Sequence, residues 1–379
     1  MESIVAPRRA TRRIRLGGLF VGGGAPVTVQ SMTNTPTADV EATLRQIRRL
    51  EDAGCEIVRV AVVDREAARA ITKIRAAIGI PLVADIHFDH RLALAAAEAG
   101  ADGLRINPGN IGGAARVAKV VDCARAHGLP IRIGVNAGSL DKDLMRRHGG
   151  ATAEAMVESA LRQVAMLESL GFDQIKISLK ASDVGRTVKA YRLLAGRTDY
   201  PLHLGVTEAG GLLAGTVKSA LGIGMLLAEG IGDTLRVSLT RDPVEEVRVG
   251  FEILGSLGIR RCGPEIISCP TCGRCEIDLF GLLEKVERAL LTCRAPIKVA
   301  VMGCVVNGPG EAREADVGVA GGRGLGILFA KGRMLGKVAE QNLVTALLEE
   351  VDRWVEQYQA NVDRGENGQS TERDLAQKK

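Results

Sequence analysis

The chain has 379 residues, 46% hydrophobic and 25% charged, which excludes a disordered or fibrous protein. At about 150 residues per domain it holds two or three domains, or fewer if one is an α/β barrel of about 250 residues. Fifty basic and 45 acidic residues leave a net charge of +5, and aromatics are only 3%, so a base-stacking nucleic-acid binder is not indicated.

Short β-branched runs alternate with longer Ala-, Leu- and Arg-rich stretches of helical period. The chain starts with Arg8, Arg9, Arg12 and Arg13, but Leu16–Pro26 is broken by glycines and makes no export signal, so the protein reads as cytoplasmic. The expected strands are Val27–Ser31, Glu56–Val62, Leu82–Ile86, Asp102–Ile106, Ile131–Val135, Gln174–Ser178, Leu202–Val206 and Thr234–Ser238. Helices such as Asp39–Ala53 and Ala153–Leu170 lie between them, and Pro243–Leu257 would be the eighth. Alternation of this kind gives a parallel sheet, and eight units predict an α/β fold of the (β/α)8 TIM-barrel type over 1–258. The longest apolar run, Ser219–Ala228, is bounded by Lys218 and Glu229 and is too short for a membrane span of about 18 residues.

After the linker Gly258–Pro264 the pattern changes. A cysteine loop, a helix over Glu276–Leu291, a strand over Ile297–Met302, two strands over Asp316–Ala320 and Gly326–Ala330, and a final helix over about Val338–Tyr358 predict a small α+β domain spanning 265–358. The GGRGLG run at 321–326 reads as a hairpin turn, because no dinucleotide-binding βαβ unit follows it. The polar stretch 359–379 reads as a disordered tail.

Eight cysteines occur, and six crowd between Cys262 and Cys304. Cys55 and Cys123 sit in apolar patterns and read as buried small side chains. Cys269 and Cys272 form a C-x2-C chelate in CPTC, extended by Cys275, and Cys304 follows a strand downstream. Thiolates select zinc or iron–sulfur clusters. No second C-x2-C and no downstream histidine closes a zinc site, so a cluster is favoured. Its fourth ligand is either Cys275 or, returned by the Gly308-Pro309-Gly310 turn, Glu311. A carboxylate exchanges more readily than a thiolate, which would leave an iron open to substrate.

Barrel enzymes draw catalytic groups from the C-terminal ends of their strands. In strand order those ends supply Gln30, Ser31 and Asn34; Arg59; Asp85 and His87; Arg105 and Asn107; Arg132 and Asn136; Lys176, Ser178 and Lys180; Thr207 and Glu208; Arg236 and Ser238. Six cations are expected on one rim, where they would repel one another unless a polyanion sits among them. Glu208, in Thr-Glu-Ala-Gly-Gly, is the candidate proton donor.

VQSMTNT at 29–35, VADIHFD at 83–89, LRINPGNIG at 104–112, IRIGVNAGSL at 131–140, SLKASDV at 178–184, LGVTEAGG at 204–211, CPTC at 269–272 and GCVVNGPGEA at 303–312 together resemble the bacterial 4-hydroxy-3-methylbut-2-en-1-yl diphosphate synthase family, over about residues 10–357. The resemblance implies an iron–sulfur oxidoreductase of the non-mevalonate pathway of isoprenoid biosynthesis. Such an enzyme reductively opens and dehydrates 2-C-methyl-D-erythritol 2,4-cyclodiphosphate. It also implies a TIM barrel followed by a sulfite-reductase-like domain, with a [4Fe–4S] cluster on Cys269, Cys272, Cys304 and Glu311. Arg59, Arg105, Arg132, Asn136 and Lys176 would surround the cyclic diphosphate, and Glu208 would be the acid. Flavodoxin or ferredoxin would supply the electrons, and the enzyme would be a homodimer in which the cluster of one chain caps the barrel of the other. The rival readings are a phosphate- or pterin-binding TIM-barrel transferase with a structural zinc domain, and a zinc-ribbon RNA-binding module.

Overall fold

The computed structural model describes residues 4–304, 310 and 314–364. The chain divides into two compact units, Met1–Arg260 and Arg261–Lys379.

The first unit opens with a hairpin, β1 (Ile14–Leu16) and β2 (Leu19–Val21), turned by Gly17 at φ +56°. Eight parallel strands follow: β3 (Thr28–Met32), β4 (Ile57–Val62), β5 (Leu82–Ile86), β6 (Gly103–Ile106), β7 (Ile131–Asn136), β8 (Ile175–Lys180), β9 (His203–Leu204) and β10 (Thr234–Leu235). Their order is β8-β7-β6-β5-β4-β3-β10-β9, and a parallel bridge from Ile177 to Leu202 joins β8 to β9 and closes the ring. Helices α1 (Val40–Asp52), α2 (Arg65–Ala76), α3 (His90–Glu98), α4 (Ala114–His127), α5 (Lys142–Arg147), α6 (Ala153–Ser169), α7 (Val184–Ala195), α8 (Leu212–Ala228) and α9 (Pro243–Ser256) form the crossovers. The barrel is therefore the one expected. Helix starts are set by side-chain caps: Asp39, Asp64, Asp89, Thr152, Asp183 and Asp242 each accept a first-turn amide, so each strand-to-helix loop ends in a fixed place.

The β1–β2 hairpin was not foreseen, since strands of three residues around glycine carry little periodicity. Ile14, Leu16 and Val21 pack on Ile57 and Val83, near the N-terminal ends of β4 and β5. A Cβ on Gly103 would meet Leu16 at 2.6 Å, so Gly103 makes the room for this plug. Burying Leu16 stabilises it by about 2 kcal/mol. The plug closes the floor of the barrel and leaves the C-terminal end as the mouth.

The second unit has a five-stranded sheet in the order β11 (Glu265–Ser268), β12 (Lys298–Met302), β13 (Val317–Gly322), β14 (Leu325–Ala330), β15 (Arg333–Ala339). The pairs β11–β12 and β12–β13 are parallel; the other two are antiparallel. Helices α10 (Leu279–Leu290) and α11 (Leu343–Asp363) cover one face, where Val286, Leu347 and Val351 meet Val299, Val301 and Val319. The turn expected at 321–326 joins β13 to β14, with Gly324 at φ +66°.

β11 and β15 were missed. The last helix begins at Leu343, because Val338 belongs to β15 and pairs with Gly326. It also runs on through Asp363, so the polar stretch from 359 is helical at its start; 365–379 lie outside the described residues.

Candidate active site

Alternation along a strand sends every second side chain into the barrel. On β8 these are Lys176, Ser178 and Lys180; on β7 Arg132 and Gly134; on β6 Gly103 and Arg105; on β4 Arg59. Most barrels fill this space with branched apolar residues. Here Arg59, Arg105, Arg132, Lys176 and Lys180 are all buried, and Arg236 nearly so. The six cations expected on a rim thus lie within the barrel, because Arg132 and Lys176 are each the second residue of their strand.

Two inward glycines make space for two of these side chains. A Cβ on Gly134 would lie 2.5 Å from Nε of Arg105, and one on Gly205 would lie 2.7 Å from Nζ of Lys180.

Two buried carboxylates face the six cations. Asp85 accepts from Nη1 of Arg105 at 3.1 Å and lies 3.6 Å from Nε of Arg59. Burial alone would raise the Asp85 carboxyl, but Arg59 and Arg105 overrule it and hold it well below the usual range. Glu246, on α9, accepts from Nε and Nη2 of Arg236, both at 3.1 Å, from Oγ of Ser31 at 3.1 Å and from the amide of Leu239. Among the described residues no carboxylate forms an ion pair with Arg132, Lys176 or Lys180, and Asp233 offsets the charge of Lys176 only from a distance. Nζ of Lys176 and Nε and Nη2 of Arg132 are buried without a partner, although Nη1 of Arg132 donates to Ser178 at 2.6 Å. Burial, followed by repulsion from neighbouring cations, pushes Lys176 down to about 7 and Arg132 and Lys180 well below their ordinary values; burial also takes Arg59 down to about 10, against the opposing pull of Asp85. An interior of this kind calls for a polyanion, whose oxygens would pair the orphaned donors.

The other candidates divide. His87 lies at the mouth with Nε2 2.7 Å from Nη1 of Arg105 and 3.5 Å from Oδ1 of Asp85. Glu208 is exposed at the mouth with φ +53°. Asn136 ends β7 with its side chain uninvolved in capping the turn that follows. Asn107 spends its side-chain oxygen on the amide of Gly109. Ser238 and Thr207 are half-buried after their strands, and the buried amide of Gln30 makes no hydrogen bond. Ser31 and Asn34 do not join the set: Ser31 faces out to Glu246, and Asn34 pairs with Gln46 of α1.

Sequence reasoning missed Glu246 and His203. Glu246 shares the buried face of α9 with Gly250 and Ile253, at i, i+4 and i+7, and a carboxylate in such a stripe signals a buried cation. His203 is wholly buried, hydrogen-bonded through Nδ1 to Thr234 at 2.8 Å, with Nε2 unpartnered. Burial, and then Lys180 and Arg132, push it well below its ordinary range, so it stays neutral.

In the second unit Cys269 and Cys304 follow the C-terminal ends of two adjacent strands. Cys269 directly follows β11, whose Ser268 is in register with Val301 of β12, and Cys304 lies two residues beyond β12. The amide of Gly303 donates to Sγ of Cys269 at 3.3 Å, which brings that sulfur beside the backbone leading to Cys304. Cys272 is exposed on the loop between. Among the described residues no three His, Cys, Asp or Glu side chains converge as a metal cage, and Glu311 lies outside the described residues. Thiols emerging from adjacent parallel strands, one of them already accepting a backbone N–H, are a donor set suited to a soft metal or cluster. Cys275 is otherwise engaged. Its sulfur donates to the carbonyl of Ile277 at 3.3 Å, packs against the domain core, and fills the space a Cβ on Gly303 would need, at 2.7 Å. Cys55 is buried and pushed up to about 12 by that burial, whereas Cys123 is only half-buried, against expectation.

A closed parallel barrel whose interior cations outnumber their ion-pair partners, followed by a separate unit that carries thiols at the C-terminal ends of two adjacent strands, defines a class: a TIM-barrel enzyme for anionic substrates with a redox-cofactor domain. The chain belongs to the GcpE family. Residues 11–251 match the GcpE TIM-barrel domain, and residues 265–353 match the GcpE protein C-terminal domain. It is 62% identical over 355 residues to a relative from Desulfotalea psychrophila, covering 93% of this chain and 98% of that one. It is 62% identical over 343 residues to one from Geobacter sulfurreducens, covering 90% and 97%. Both relatives are named 4-hydroxy-3-methylbut-2-en-1-yl diphosphate synthase (flavodoxin). Among solved structures, Xanthomonas albilineans dihydropteroate synthase aligns with TM-score 0.47 and 14% identity, over 65% of this chain and 98% of that one. The family match and the named relatives do not favour the pterin-transferase reading.

Proposed function

We propose that the chain carries out the reaction for which its relatives are named. It reductively opens and dehydrates 2-C-methyl-D-erythritol 2,4-cyclodiphosphate to 4-hydroxy-3-methylbut-2-en-1-yl diphosphate. The observation that carries this reading is the barrel interior, where six cations are ion-paired, among the described residues, by Asp85 and Glu246 alone.

Arg59, Arg105, Arg132, Lys176 and Lys180 would grip the diphosphate oxygens, the guanidinium forks bidentately. Asp85 holds Arg59 and Arg105 in register, His87 steadies Arg105, and Ser178 orients Arg132. Asn107, Asn136, Arg236 and Ser238 complete the proposed substrate shell. Fixing both phosphates orients the carbon skeleton at the mouth. There the C2–O bond to phosphate breaks, and Glu208 protonates the departing C3 hydroxyl, which leaves as water. Two electrons enter as the C2–C3 double bond forms. A [4Fe–4S] cluster, which Cys269, Cys272, Cys304 and Glu311 would hold, would supply those electrons one at a time.

The relatives' names support flavodoxin as donor over ferredoxin. A homodimer is supported by an apolar stripe on α8, in which Leu213 (82% exposed), Val217, Leu221 and Met225 recur every four residues on the outer face. No helix among the described residues is long and apolar enough to cross a membrane, and the proposed setting is the cytoplasm.

The test is an anaerobic assay of the reconstituted protein with the cyclic diphosphate and reduced flavodoxin, with iron and zinc measured on the same sample. The expected outcome is turnover in brown protein with about four irons. A colourless, zinc-replete and inert protein would overturn the reading. If sites are shared between chains, mixing Arg105→Ala with Cys269→Ser protein restores part of the activity.

A further inference from the structure

Among the described residues, three side chains larger than glycine hold a positive φ: Phe88 at +67°, Glu208 at +53° and Lys331 at +48°. Lys331 lies in the two-residue turn between β14 and β15, where such a conformation is ordinary. Glu208 and Phe88 both lie at the barrel mouth, and for a bulky aromatic this backbone region is strongly disfavoured.

The cause is a three-residue γ-turn. The amide of Asp89 donates to the carbonyl of His87 at 2.8 Å, with Phe88 between them. Asp89 then caps α3 by accepting from the amide of Arg91 at 2.9 Å, so the turn is held between β5 and α3. It sends two neighbouring side chains separate ways. His87 reaches Arg105 at 2.7 Å, while the phenyl ring of Phe88 remains 69% exposed, its centroid 5.9 Å from that of the imidazole. The ring therefore sits beside the site without joining the core. Backbone strain and exposed aromatic surface are both unfavourable in the free protein, and such strain is characteristic of sites built for a ligand. The cationic interior supplies partners for phosphoryl oxygens and none for carbon.

We propose that Phe88 is a specificity-determining residue of the mouth, whose ring covers the hydrocarbon face of a bound diphosphate ester. This rests on the substrate reading given above. It distinguishes the ester from a bare anion, which the barrel interior would bind without the ring.

The experiment is calorimetric titration of the anaerobic, reconstituted holoenzyme, without electron donor, using the cyclic diphosphate ester and inorganic diphosphate in parallel. Phe88→Ala is expected to weaken the ester about tenfold while leaving inorganic diphosphate within about twofold. Phe88→Leu, which keeps apolar bulk, recovers most of the loss. Phe88→Gly eases the backbone, so it replaces the alanine variant should that fail to fold, and it binds the ester as poorly. Equal weakening of both ligands, or unchanged binding of both, overturns the role of Phe88. A wild-type protein that does not prefer the ester to inorganic diphosphate overturns the substrate reading instead.

Discussion

Gly134 on β7 lies directly against the guanidinium of Arg105 on β6, so closely that a single added methyl group would come within 2.5 Å of Nε and 2.8 Å of Nη2. Arg105 cannot swing aside freely, because Nη1 is tied to Asp85 and His87. A glycine in a strand otherwise weakens it, and here it lets a charged side chain lie flat inside a barrel.

Gly134→Ala should therefore lower kcat/KM by one to two orders of magnitude, from roughly 1–3 kcal/mol of overpacking at the site. The circular-dichroism spectrum should stay that of the wild type. Steady-state kinetics check this, and an unimpaired variant would mean that Arg105 does not need its present position.

Lys176 makes the ligand-free protein pH-dependent. The unfolded chain keeps this proton up to about 10.5, whereas the folded chain releases it above about 7. Between those values the unfolded state binds more protons, so stability rises with pH; below 7 both states are protonated and the full penalty is present. The urea midpoint of wild type relative to Lys176→Met should thus increase from pH 7 to pH 9.5, and Lys180 acts in the same direction.

Filling the interior with a polyanion restores the charged form of the same lysine. At pH 8, diphosphate binding should take up protons. Calorimetry in two buffers of different ionisation enthalpy measures that uptake, and Lys176→Met should reduce it by up to one proton.

The cysteines should separate by role. Cys269→Ser, Cys272→Ser and Cys304→Ser are expected to lose iron on anaerobic reconstitution. Cys275→Ser should retain it, since that thiol is already committed to the carbonyl of Ile277 and the packing at Gly303. Iron content and visible absorption distinguish the two groups without reference to turnover.

The apolar stripe on α8 should govern association. Leu213→Glu with Leu221→Glu places two charges on that face. Light scattering after size exclusion should report a dimer for the wild type and a monomer for this variant, with the helix content preserved because neither side chain belongs to the core.

Local pattern was enough for the barrel and for the change of architecture after it, because each depends on period and on turn residues. It was not enough for β1–β2, β11 or β15, which are short and are strands only by virtue of the neighbours that pair with them. Nor could it place the cations. That Arg132 and Lys176 lie deep in the barrel, that Glu246 reaches in from α9 to neutralise Arg236, that Ser31 turns outward, and that Cys275 packs inward all depend on which strands are adjacent and in what register. Residue order alone establishes which chemical groups are available and roughly where along the chain they fall. Which of those charges have partners is settled by the folded chain, because burial and pairing arise between segments remote in sequence, and the unpaired remainder is what a substrate must satisfy.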